Sequence, residues 1–159
     1  MNKQLLKDAL LRSLDEEINA GLVAAGEAHA TASHGENKPE NQYDTLALEA
    51  AYLAHGQSER ILQLQQTRIN LSRWVAPTFN EDDSVRMGAC AVLLSENDEE
   101  RSIFIAPVGG RELDFEGQKI LVVNQEAPVT RRLIGLSVGD EVELTLGGRS
   151  AVWELLAIH

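Results

Sequence analysis

Aromatic side chains are scarce in this chain, at 4% of residues, so any core must be built from aliphatic groups. Cysteine is nearly absent. The single Cys90 excludes an intramolecular disulfide and a multi-cysteine zinc site. Lys and Arg number 14 against 25 Asp and Glu, for a formal charge of −11. That balance argues against a protein that grips duplex nucleic acid through its phosphates, which needs a basic face. It favours a basic protein partner or a bound cation. No apolar run approaches a membrane span, and Lys3, Lys7 and Asp8 interrupt any signal-like stretch at the start. A cytoplasmic protein is expected. Only four prolines occur, and none falls between Gln4 and His34 or between Tyr43 and Arg73.

Those two proline-free stretches carry the clearest pattern. In the first, Leu11, Leu14, Ile18, Gly21, Ala25, Ala28 and Ala32 recur at alternating spacings of three and four, the seam of a coiled coil. In the second, the seam reads Ala47, Ala50, Ala54, Gln57, Ile61, Leu64, Arg68 and Leu71. Gly35, Asn37, Pro39 and Asn41 break the helical pattern between them. Doubling the chain back at this break sets Ala32 opposite Ala47, Ile18 opposite Ile61 and Leu14 opposite Leu64. Small residues then meet near the turn and large ones near the base. Each arm, at about 30 residues, would run about 45 Å. The spacing predicts a thin antiparallel hairpin over residues 1–76, although a coiled-coil dimerisation arm fits the same pattern.

After Trp74 the period changes. Pro77 ends the helix, and short apolar runs alternate with turn residues. Strands are expected at Ala89–Leu94, Ser102–Pro107, Ile120–Val123, Glu141–Leu146 and Ser150–Ile158, with a short helix at Pro128–Ile134. Residues 77–159 thus read as a small β-rich domain, and the whole chain as α+β. This part holds seven Lys/Arg and fifteen Asp/Glu, so most of the negative charge lies here.

The chemistry-bearing residues are few. Glu36, Glu40 and Asp44 gather at the break, flanked by Asn37, Asn41 and Tyr43. Hard oxygen donors on a turn can complete the shell of a Mg²⁺ ion held elsewhere, and equally can serve only solubility. His29 and His34 are five residues apart, poor helical spacing for a metal. Cys90 sits in a strand pattern and is expected in the core. Trp74 and Trp153 are expected to pack rather than to bind a ligand. Neither Gly109-Gly110 nor Gly147-Gly148 is followed by the Lys-Ser/Thr of a phosphate loop. No self-contained catalytic set emerges.

Glu126-Ala-Pro-Val-Thr-Arg-Arg-Leu-Ile-Gly135, with Gly139-Asp140 after it, resembles a signature of the bacterial GreA/GreB transcript cleavage factors. Val85-Arg-Met-Gly-Ala89, Glu40-Asn41, Tyr43 and Arg60-Ile61 are similar to other parts of that family, so the likeness covers nearly the whole chain. It implies an FKBP-like C-terminal domain that docks at the rim of the RNA polymerase secondary channel. It also implies a hairpin that enters the channel, where tip carboxylates help to hold the polymerase's second Mg²⁺. The polymerase then hydrolyses backtracked RNA. On this chain the resemblance assigns Glu40 and Glu36 to that transient Mg²⁺, and Glu126, Pro128 and Arg131 to docking. It implies no cofactor beyond the polymerase's own Mg²⁺, no catalytic residue of the chain's own, a monomer, and contact with nucleic acid only through the elongation complex.

The chain departs from the family at two places. Its tip, Gly35-Glu-Asn-Lys-Pro-Glu-Asn41, has one extra residue, a proline, and Glu36 in place of the usual Asp. Ala127 stands where Ser is usual. The expected function is a secondary-channel elongation factor that promotes cleavage. The alternatives are a Gre-like regulator that does not cleave, a coiled-coil adaptor, and a prolyl isomerase, which would need an aromatic-lined pocket.

Overall fold

A computed structural model describes the backbone of residues 1–33 and 45–159, and their side chains except at 28, 29, 31–33, 45–51, 53 and 54. The chain forms α1 (Lys3–Ser33), α2 (Thr45–Arg73), β1 (Cys90–Ser95), β2 (Glu100–Ile105), β3 (Arg111–Phe115), β4 (Gln118–Val123), α3 (Pro128–Leu133), β5 (Glu141–Leu146) and β6 (Arg149–Ile158). The expected α+β architecture is present. β3 is an addition to it. Its alternation of exposed Glu112 and Asp114 with buried Leu113 and Phe115 is a strand signature five residues long.

Two compact units divide the chain: Leu11–Arg73, and Met1–Leu10 together with Trp74–His159. The first ten residues, expected within the hairpin, therefore cluster with the β-rich part. In the helical unit, α1 and α2 run antiparallel. Arg60 reaches Glu17 at 2.9 Å, and the Arg68 guanidinium forks onto both oxygens of Asp15. On the same stretches of the two helices Leu14, Ile18, Ile61 and Leu64 are buried. A Cβ added at Gly21 would lie 3.1 Å from Ile61, so the helices approach closely there. The approach of Gly21 to Ile61, with the Glu17–Arg60 and Asp15–Arg68 ion pairs, defines the antiparallel pairing of the two arms. The alanine half of the seam, Ala28, Ala32, Ala47, Ala50 and Ala54, lies outside the described side chains.

In the other unit six strands form one mixed sheet in the order β3-β4-β2-β1-β6-β5. β2 and β4 are parallel and the other pairings antiparallel. Because side chains alternate along a strand, each register row belongs to one face. Ala91, Leu93, Ile103 and Leu155 face one way, and α3 covers that side with Leu133. Cys90, Phe104 and Val122 face the other, where the Trp74 ring lies 6.2 Å from that of Phe104. Both tryptophans therefore have packing partners, as the sequence suggests: Trp153 is 4% exposed within the first core. Cys90 is buried, and burial pushes its thiol up to about 12. The β5–β6 hairpin closes through Gly147 and Gly148, with φ of 58° and 79°. Two successive left-handed residues are what a two-residue turn matched to strand twist requires.

The first turns of α1 are tied to the segment that follows α2. Lys7, 7% exposed, donates to the Trp74 carbonyl. One turn earlier, Lys3 donates to the Pro77 carbonyl and stands 4.2 Å from the centre of the Phe79 ring. The Arg86 guanidinium is also 4.2 Å from that ring centre. Two cations thus share one aromatic ring. Burial, and then the charge of Arg86, lower the Lys3 pKa.

Two outcomes follow from these contacts. Lys7→Met keeps the apolar stem but removes the charged donor, and should lower stability in urea unfolding by about 1.5–3 kcal/mol. The hydrogen bonds from Arg68 hold the Asp15 carboxyl below its ordinary value, so its stabilisation is present above that value and is lost as pH falls through the lowered one. Asp15→Asn should therefore reduce the thermal midpoint at neutral pH, and the gap to the unmodified protein should close below about pH 4.

Candidate functional site

Of the two groups singled out in the sequence, the tip group (Glu36, Asn37, Glu40, Asn41, Tyr43 and Asp44) lies outside the described residues. The other group, Glu126, Pro128 and Arg131, sits where β4 gives way to α3. All three side chains are exposed. Pro128 opens the helix, where its missing N–H costs nothing and its fixed φ suits the first turn. Arg131 follows three residues later, on the same side of the helix. Thr130 and Leu133, both fully buried, point the opposite way and anchor the helix to the sheet. A six-residue helix is too short to be stable alone. Its anchored side therefore fixes where its exposed side is shown.

The turn before the helix is organised by a residue that periodicity does not flag. The Asn124 side-chain oxygen accepts from the N–H of Glu126 at 3.2 Å and of Ala127 at 3.0 Å. Its main-chain carbonyl accepts from the Thr130 hydroxyl at 2.7 Å and from the Ala127 N–H at 3.3 Å. The signal available in the sequence was the Asn itself, a residue prone to bond the backbone two or three residues on. Gly139 and Asp140, part of the sequence signature, have a structural task here. The Asp140 carboxylate accepts from the Ser137 N–H at 2.8 Å, and the Leu155 N–H donates to the Asp140 carbonyl at 2.9 Å. Together they set the start of β5 against β6.

A small hollow of about 220 Å³ lies beside the turn, lined by Pro128, Val129, Arg132, Glu143, Leu144 and Thr145. A larger one of about 700 Å³ lies over the sheet, with Ile103, Leu121 and Trp153 among its apolar lining residues. Of its cations, Arg101 pairs with Glu99 and Lys119 pairs with Glu112. Trp153 is the one aromatic residue lining it, unlike the aromatic-walled pocket that an isomerase would need. Among the described residues no three His, Cys, Asp or Glu side chains are grouped to hold a metal, and no helix is long and apolar enough to cross a membrane. His55 lies on the surface, 3.6 Å from Glu59.

Comparison with known proteins gives the family. Residues 80–159 match the family model described as "Transcription elongation factor, GreA/GreB, C-term". The transcription elongation factor GreA of Chelativorans sp. is 31% identical over 97% of this chain and 90% of its own length. That of Mesorhizobium japonicum is 30% identical over the same shares. The crystal structure of GreA factor homolog 1 from Thermus thermophilus aligns over 94% of both chains at 17% identity, with a TM-score of 0.41. With the C-terminal half matched to the family model and identity sustained across almost the full length, the chain belongs to the GreA/GreB family of transcription elongation factors.

Proposed function

We propose that this protein binds bacterial RNA polymerase and acts on elongation through the enzyme's secondary channel, as an accessory factor and not as an enzyme in its own right. The observation that carries the reading is the exposed Glu126–Pro128–Arg131 surface, held on an anchored helix, in a chain alike to GreA over nearly its whole length. A charged and proline-bearing surface on a rigid element suits docking, because little conformational freedom is lost on association. The antiparallel helices bring the chain to its acidic segment and back. Glu36 and Glu40 would supply oxygen ligands to the polymerase's second Mg²⁺. The chemistry supplied there would be Lewis-acid activation of water and stabilisation of the departing RNA oxygen. The carboxylates of this chain contribute hard donors and charge balance. The protein works as a monomer in the cytoplasm and meets nucleic acid only through the elongation complex.

A second reading, a regulator that occupies the channel without promoting cleavage, is favoured by the tip sequence. Gly35-Glu-Asn-Lys-Pro-Glu-Asn41 carries an inserted residue and a longer acidic arm than the family pattern. Donors in such sites must stand within about half an ångström of their productive positions.

Immobilised core polymerase should retain the unmodified protein, and Glu126→Ala and Pro128→Ala should each weaken retention about tenfold, the equivalent of about 1.4 kcal/mol. No retention of the unmodified protein would end the docking reading. In a stalled, backtracked complex the protein should speed release of short RNA, and Glu40→Ala should remove that gain. Bound protein with no gain in rate selects the regulator that does not cleave.

A further inference from the structure

We propose that Asn124 is the positioning residue of the docking turn, fixing the main chain of Glu126 and Pro128 in the conformation that meets the polymerase. The inference rests on the docking reading above. Ala127 occupies the N-cap of α3 in an extended conformation, φ −60° and ψ 139°, and makes no side-chain cap bond. Alanine is among the poorest residues at that position because it has no oxygen to receive the free amides of the first turn. Pro128 next to it has no N–H at all. A turn built on these two residues has no side-chain bond of its own to hold it.

Asn124 supplies the bonds from outside the helix. Its Oδ1 receives two amides and its carbonyl receives an amide and a hydroxyl, so four hydrogen bonds on one residue span 124 to 130. The hydroxyl belongs to Thr130, fully buried, which links the turn to the core. Asn124 is braced in its turn. A Cβ at Gly109 would lie 2.3 Å from the Asn124 nitrogen and 2.8 Å from the Val123 carbonyl carbon, both main-chain atoms that cannot swing aside. The Ala106 N–H donates to Val123 at 2.9 Å and the Gly110 N–H to Val122 at 3.0 Å, holding that loop flat against the end of β4. Glu126 and Pro128 remain exposed, so the main chain that Asn124 holds is what aims them. Pre-setting that geometry lowers the ordering cost of binding.

The test compares Asn124→Ala, which removes the acceptor, with Asn124→Asp, which keeps it, and with Asn124→Ala combined with Ala127→Ser, which restores a cap. Amide hydrogen exchange and polymerase affinity are measured on each full-length protein. With Asn124→Ala, exchange at Glu126 and Ala127 should quicken about fivefold or more, while the amides of β1 and β6 keep their rates, and polymerase affinity should fall by a similar factor. Asn124→Asp should stay near the unmodified protein, and Ala127→Ser should recover part of the lost affinity. Gly109→Ala, which pushes on Asn124 from behind, should repeat the affinity loss with the Asn124 side chain intact. Affinity unchanged in Asn124→Ala, while the unmodified protein binds, overturns the inference, as does a uniform rise in exchange across the sheet. Failure of the unmodified protein to bind instead overturns the docking reading.

Discussion

Strand β1 is closed in on both faces and on both edges, and the rest of the β-rich unit follows from that constraint. Ala91 and Leu93 need cover on one side and Cys90 on the other. β2 and β6 pair with its edges and satisfy its main-chain groups. One face is closed by α3, whose Leu133 enters the core. Toward the other stand Phe104 and the ring of Trp74. A helix of six residues exists only because that apolar face demands it. The exposed side of α3 is thus a by-product of core closure: Thr130 and Leu133 go in, so Pro128 and Arg131 come out.

Much of this was legible in the sequence because it depends on periodicity. The three-four spacing marks both long helices within a residue or two of Lys3–Ser33 and Thr45–Arg73. Gly147 and Gly148 announce their hairpin because only glycine adopts two positive φ angles in succession at little cost. β3 was missed although Arg111–Phe115 alternates strictly. Five residues with two apolar members between glycine-bearing turns give a weak signal, and its burial is decided by Ile120 and Val122 of the neighbouring strand.

The site was legible in part. Glu126, Pro128 and Arg131 could be picked out by resemblance, and their shared exposure is a matter of helix geometry. Asn124 could not, because its importance lies in bonds to specific amides and to a threonine six residues on. Nor does any pattern announce that Lys3 and Lys7 turn inward to carbonyls more than sixty residues away. Long-range bonds from polar side chains leave no periodic trace, and these two lie in the ten residues that group with the β-rich unit.

Burial of Cys90 has a consequence for how the fold can be watched. With no exposed surface and a thiol that holds its proton to about pH 12, the sulfur offers neither access nor thiolate to an alkylating reagent. Labelling must wait until the cover over that face of β1 opens. The lone sulfur is therefore a native clock: the rate at which it is captured in strong reagent counts the openings that uncover it, with no dye, tag or substitution introduced.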